Sequence, residues 1–241
     1  VPGQVKVEGV VLRSLRFGEA DRILHLYTEH RGRVGAIAKG VRRSRSRFGG
    51  RLEPFTRVSL VLHEGRSDLL TVTAADTIAP HRRLRESAAS LDAAARACDA
   101  VARLFETADP HPPVYHLLCH ELALLDADPA AATRANQLAF RLKLLLAGGF
   151  APHLAACASC GEPAHLSGFS GAEGGVVCEG CEGETGAFPL AEEAHVFMSE
   201  ALGRPLRETP QASELALRQA ERAIGETAEH HAHVRLRAAT P

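Results

Sequence analysis

Apolar residues recur in two different rhythms along this chain. Between residues 5 and 78 the runs are short, β-branched and broken by Gly-containing turns. Residues 5–17 (VKVEGVVLRSLRF) read as a strand, Gly18-Glu19-Ala20-Asp21 as a turn, and Arg22 to Glu29 (RILHLYTE) as a second strand. His30-Arg31-Gly32 turns into a third, Arg33 to Lys39. Phe55 to His63 and Leu69 to Ile78 read as a hairpin around Glu64-Gly65-Arg66-Ser67-Asp68. Five short antiparallel strands in this span suit a small closed barrel of the OB or SH3-like kind.

From about Arg82 the rhythm becomes helical. Leu91, Ala94, Ala95, Cys98, Val101, Ala102 and Phe105 share one face, and Asp109-Pro110-His111-Pro112-Pro113 stops that helix. Val114, Leu117, Leu118, Leu122 and Leu125 mark a second helix. A third runs from Pro129 to Ala147, with Leu138, Leu142, Leu145 and Leu146 inward and Gly148-Gly149 at its end. Short turns between three such helices predict a compact bundle, within which Cys98 and Cys119 read as buried core thiols. Later, Leu190, Ala194, Phe197 and Ala201 lie on one helical face. Thr209-Pro210 opens a last helix with Leu217, Ala220 and Ile224 inward. His230-His231-Ala232-His233 reads as a polar, frayed end.

The fold class expected is therefore multidomain α+β. An OB-fold barrel occupies 1–80, a helical domain 81–150, a cysteine module 151–188, and C-terminal helices packed on the helical domain 189–241. No apolar run approaches the roughly 20 residues needed to span a bilayer. VPGQVKVEGV shows no charged stretch leading into an apolar block, so no secretory signal and a cytoplasmic location are expected.

Charge sharpens the division. The formal net charge of -1 conceals +9 over residues 1–85 and -10 over residues 86–241. The basic third would attract polyanions and the acidic remainder would resist them. The basic excess peaks in KGVRRSRSRFGGR, residues 39–51, with Lys39, Arg42, Arg43, Arg45, Arg47 and Arg51 and no acid. A positive loop on a β-framework suits phosphate contact, and Phe48 is the aromatic expected to stack on an exposed base. Arg13, Arg16, Arg22 and Arg33 on the flanking strands complete the expected nucleic-acid-binding set. A solvated loop with no specific partner is the plain competing reading.

The sharpest local signal is Cys157-Ala-Ser-Cys160 followed, after 17 residues, by Cys178-Glu-Gly-Cys181. Paired CxxC knuckles place four thiolates around one tetrahedral ion, so a structural Zn2+ is expected at Cys157, Cys160, Cys178 and Cys181, with 165–177 as a hairpin between the knuckles. Disulfides are the poorer reading in a cytoplasmic chain. A closed Cys₄ set leaves no open catalytic position, and no P-loop, dinucleotide fingerprint, HExxH or GxSxG occurs. No catalytic constellation is present, so an enzyme is not expected.

This order of parts resembles the RecO family of bacterial recombination mediators. The resemblance rests on Gly18-Glu19-Ala20-Asp21 before a strand, on Gly35 through Lys39-Gly40-Val41-Arg42-Arg43, and on Leu52-Glu53-Pro54-Phe55. It rests also on Gly149-Phe150-Ala151-Pro152-His153-Leu154 leading into Cys157-x-x-Cys160-Gly161. It implies binding of single- and double-stranded DNA, annealing of complementary strands, and a nucleoid-associated setting. It also implies partnership with RecR and with the acidic C-terminal tail of single-stranded-DNA-binding protein, together loading RecA. For that tail, Arg134, Arg141 and Lys143 beside Leu138 and Leu142 are the candidate groove. A protein-binding scaffold whose basic loop meets an acidic partner is the alternative, with a metal-dependent enzyme and RNA binding behind it.

Overall fold

The structure is a computed structural model that describes residues 3–42, 46, 48, 50–65 and 69–239. The chain divides into two compact units, one ending at Ala127 and one beginning at Asp128. This division falls within the helical stretch expected at 81–150.

The first unit is built on a closed five-stranded barrel in the order β1-β2-β3-β5-β4, an OB-like arrangement. The strands are β1 (Gln4–Phe17), β2 (Asp21–Thr28), β3 (Gly32–Ala38), β4 (Arg57–His63) and β5 (Leu70–Ala79). β1 is long because it serves two neighbours. Its first half pairs with β4 and its second half with β2. A short parallel pairing, Ala36 with Leu70 and Ile37 with Thr71, completes the closure. Val7, Val11, Leu24, Leu26, Val34, Leu60, Leu62 and Val72 fill the interior.

One irregularity decides what the barrel shows to solvent. Val11 pairs with Leu26, but Arg13 pairs with His25, so Leu12 is an extra residue in β1. Before this bulge the odd-numbered Val7 and Val11 point inward. After it the alternation is reversed, because one inserted residue moves every later side chain to the other face. Arg13, Leu15 and Phe17 are thereby turned outward, opposite His25, Ile23 and Asp21.

Helix α1 (Ala88–Leu104) is capped by the Ser87 side chain, which accepts from the Ser90 N–H. Its buried face is Ser90, Ala93, Ala94, Ala97, Cys98, Ala100 and Val101. Leu91 and Ala95, expected inward, lie outside that face, and Leu91 is exposed. Helix α2 (Pro112–Ala127) packs on α1. Pro112 and Pro113 begin this helix, where a missing N–H costs nothing. Cys98 and Cys119 are both buried. The α1–α2 connection presses on the β2–β3 turn so closely that a Cβ on Gly32 would lie 2.2 Å from the Asp109 carbonyl oxygen. Gly32 also has φ +55°, so glycine answers both demands there.

In the second unit, α3 (Arg134–Ala147), α5 (Glu192–Gly203) and α6 (Glu214–His231) pack together. Leu146, expected inward, is exposed at the end of α3. The last helix begins at the Ser213 cap, not at Thr209-Pro210. Leu190, Ala194, Phe197, Ala201, Leu217, Ala220 and Ile224 are buried as their spacing predicts. Strands β6 (Leu166–Ser170), β7 (Gly175–Cys178) and β8 (Phe188–Pro189) form a small sheet in the order β7-β6-β8, and α4 (Glu182–Thr185) follows the second knuckle. His231 is not frayed: its Nε2 lies 2.8 Å from the Gly171 carbonyl oxygen.

Candidate nucleic-acid interface and metal centre

The described residues of the connection from β3 to β4 are 39–42, 46, 48 and 50–56. Phe48 is only 1 % exposed and, with Leu52, belongs to the barrel core. The expectation that Phe48 stacks on a base is therefore overturned: an apolar ring beside an open barrel end gains more by plugging it than by standing in water. Other contacts fasten the connection. Gly40 N–H donates to Asp21 Oδ1 at 2.7 Å, an Arg42 guanidinium N–H donates to the Glu19 carbonyl at 3.1 Å, and Arg22 pairs with Glu53 at 3.0 Å.

The exposed aromatic of the barrel is Phe17, 50 % accessible, beside Leu15, 41 % accessible. Across the strands from them lie the half-buried Ile23 and Ile37. Phe17 pairs with Asp21, and Asp21 holds Gly40, so the basic turn at 39–42 stands next to the ring. Lys39, Arg42, Arg51, Arg13 and Arg16 are all exposed. The sequence-predicted cations are thus not one equivalent set. Arg13 shares the outer face with His25 and Arg33, whereas Arg16 pairs with Arg22 on the other face at the barrel end. Arg22 is engaged with Ser14 and Glu53, and Arg33 with the Ala102 carbonyl, so both serve the fold first. Arg43, Arg45 and Arg47 lie outside the described residues. Burial, then the nearby charges of Arg33 and Arg13, lower the pKa of His25 below its ordinary value, and its imidazole adds no positive charge at neutral pH.

Sequence reasoning missed Phe17, Arg82 and Arg85. The sequence reading places Phe17 only at the end of the first strand, and the bulge at Leu12 turns it outward. Arg82 and Arg85 read as the start of a helix. In the fold they line a cleft of about 750 Å³ together with Arg51, Glu53, Thr56 and Thr77.

Arg134, Arg141 and Lys143 do not rim an open groove. Arg134 pairs with Glu214 and Glu221, Arg141 is only 4 % exposed and lies 3.4 Å from Glu221, and Lys143 donates to the Leu202 carbonyl at 3.0 Å. Leu138 and Leu142 are fully buried. Arg134 and Arg141 neutralise acids of α6 inside the second unit, because charges drawn in among packed helices must be paired, while Lys143 is held by a backbone carbonyl of α5.

The four cysteines converge. The sulfurs of Cys157, Cys160, Cys178 and Cys181 all lie within 4.8 Å of one another, and those of Cys160 and Cys178 are 3.7 Å apart. Tetrahedral thiolate ligation of zinc, with Zn–S near 2.3 Å, requires sulfurs about 3.8 Å apart. Gly161 N–H donates to the Cys157 carbonyl at 2.9 Å and Cys181 N–H to the Cys178 carbonyl at 2.9 Å, so each knuckle is a tight turn closed by its own backbone. The Cys160 backbone N–H, followed by those of Cys178 and Ser159, holds the Cys157 thiol down to about 6. Hydrogen bonds with the Cys160 and Cys178 sulfurs push Cys181 up to about 12. Four sulfurs packed this closely cannot all ionise without a cation among them. The cluster can hold one metal ion.

Two family models match the chain in succession: "Recombination protein O N terminal" over residues 3–81 and "Recombination protein O C terminal" over residues 85–239. The chain belongs to the RecO family. It is 38% identical over 204 residues to "DNA repair protein RecO" of Rubrobacter xylanophilus, covering 83% of this chain and 81% of that protein. It is 37% identical over 243 residues to the protein of the same name from Anaeromyxobacter dehalogenans strain 2CP-C, covering 98% of this chain and 94% of the relative. The RecO match thus spans the barrel, the cysteine centre and the C-terminal helices together. Among the described residues no helix is long and apolar enough to cross a membrane.

Proposed function

We propose that this RecO-family protein is a DNA-binding mediator of recombinational repair that works by binding and positioning strands and not by catalysis. The observation that carries this reading is the exposed Phe17 on a closed barrel, on the same outer face as Arg13 and paired with Asp21, which holds the Lys39–Arg42 turn. An aromatic face offers a stacking surface to an unpaired base of any sequence, and the surrounding cations neutralise phosphates. That combination supports single-strand binding with little sequence preference; the cations alone also suit duplex. Annealing follows from the same physics, since it requires screening of two repelling backbones and no nucleotide hydrolysis. Family membership supports the wider role, in which the protein acts with RecR and with single-stranded-DNA-binding protein to load RecA. Such a role places it in the cytoplasm with the nucleoid. The cysteine centre holds Zn2+ and is structural: its closed thiolate set leaves no position for a reacting water.

The test is titration of labelled single-stranded DNA with purified protein across a salt series, without nucleotide. Tight binding that falls steeply and linearly in log–log form is expected, with Phe17→Ala weakening it. Flat or absent binding would overturn the reading and favour a scaffold whose basic edge meets an acidic protein. Metal analysis of the same preparation is expected to give one zinc per chain.

A further inference from the structure

The described residues of the β3–β4 connection, 39–42, 46, 48 and 50–56, present two edges, with Lys39 and Arg42 on one and Arg51 on the other. The first edge adjoins Phe17. The second lines the cleft of about 750 Å³ that lies over the ends of β4 and β5, bounded on the far side by the segment that leads from β5 into α1. Both walls are fastened. His81 is buried with its Nδ1 2.7 Å from the Phe55 carbonyl oxygen, and Leu84, fully buried, donates its N–H to Asp126 at 2.9 Å. Arg85 donates to the Pro54 carbonyl and, at 3.2 Å, to Thr56 Oγ1, with its guanidinium 5.9 Å from the centre of the Phe55 ring. The cleft is therefore preorganised, which lowers the entropic cost of binding.

Its chemistry is that of an anion site. Arg51, Arg82 and Arg85 line it, Arg82 is exposed and pairs with no acid among the described residues, and the one lining carboxylate, Glu53, is already paired with Arg22. The hydroxyls of Thr56 and Thr77 add donors. No aromatic face is open here, because Phe48 and Phe55 are buried. Cations and hydroxyls suit phosphate oxygens, and without an open aromatic face the cleft offers a base no stacking surface.

We propose that this cleft seats the phosphate backbone of a second nucleic-acid strand, distinct from the strand whose bases meet Phe17. The inference rests on the single-strand reading above and deepens it. A strand held by its backbone keeps its base edges outward and available for pairing. A strand stacked on Phe17 is held by its bases. The Lys39–Arg42 turn serves the first site and Arg51 the second, so each strand has cations of the β3–β4 connection beside it.

The experiment compares Arg82→Glu with Arg83→Glu, the same charge change one residue away on an exposed side chain that does not line the cleft. Single-strand affinity and the annealing rate of complementary oligonucleotides are measured for both and for the unmodified chain. Arg82→Glu is expected to anneal about tenfold more slowly at moderate salt while single-strand affinity changes less than about threefold. Arg83→Glu is expected to lose much less. Equal annealing by the two variants overturns the proposal, as does an Arg82→Glu loss confined to single-strand affinity. Binding of a poly-aspartate peptide that Arg82→Glu abolishes, with annealing intact, would assign the cleft to an acidic protein and overturn it too. Failure of the unmodified chain to bind single strands is the separate result that removes the underlying reading.

Discussion

Arginine does opposite work in the two units. In the barrel unit, Arg13 and Arg16 on β1, Arg42 and Arg82 are exposed to solvent. In the second unit Arg134 and Arg141 turn inward from α3 and meet Glu221 of α6, so their charge is spent between helices. A count of positive residues treats these groups alike. The barrel faces water on the side where its cations lie, whereas α3 is buried nearly all round, from Ala135 to Leu145, and carries its cations in with it. The lesson is that charge available to a ligand is the charge left after the fold has taken its share. Changes in the first group should alter binding with little effect on stability, and changes in the second should do the reverse.

The largest break expected is at the cysteine centre. Cys178→Ala should abolish stoichiometric metal and unfold the small sheet around it, because binding energy of about 10 kcal/mol or more at such sites is also folding energy. Zinc analysis and protease sensitivity of residues 153–189 would check this, and a full complement of metal in the variant would refute it. Next come the two phenylalanines of the barrel unit, Phe48 inside and Phe17 outside. Phe48→Ala should cost about 3–5 kcal/mol by emptying the barrel end. Phe17→Ala should leave the melting temperature nearly unchanged and weaken single-strand binding by about 1–3 kcal/mol, the worth of one base stack. Similar melting shifts for both would remove the distinction.

Glu221→Ala should cost about 3 kcal/mol in denaturant unfolding, since it removes the carboxylate that faces both Arg134 and Arg141, with DNA affinity unaltered. Lys39→Ala or Arg42→Ala should each lower the salt slope of DNA binding by about one and weaken all sequences alike, with stability constant. The smallest effect expected is a pH dependence at His25. Its pKa is lowered in the fold, so the unfolded chain binds more protons once the pH falls through the ordinary histidine value of 6.5. Its contribution to stability is present above that pH and declines below it until the folded group also titrates. His25→Gln should flatten that part of the stability–pH curve, measured by thermal melts from neutral pH downward.

The strands, the helices and the paired knuckles follow closely from local pattern. Alternation in RILHLYTE and helical spacing in Leu217, Ala220 and Ile224 record which side meets the core, and CxxC spacing records what one ion can gather. The errors came where a side chain had two acceptable environments. Phe48 among arginines reads as an exposed stacking ring, and Leu91 and Leu146 read as core.

By itself the sequence determined the five-stranded barrel, the helical remainder, the four-thiolate cluster and the basic character of residues 39–51. Those properties depend on periodicity, spacing and charge, which a linear chain carries in full. Only the tertiary structure decided which aromatic faces solvent, since the extra residue Leu12 reverses the alternation ahead of Phe17 while Phe48 fills the barrel end. It also decided which arginines remain available. Arg22, Arg33, Arg134 and Arg141 are drawn to partners far away in sequence, and Arg82 and Arg85 are brought to the 46–56 segment by contacts of His81 and Leu84. Pairing over such separations is a property of packing in three dimensions, and no local pattern encodes it.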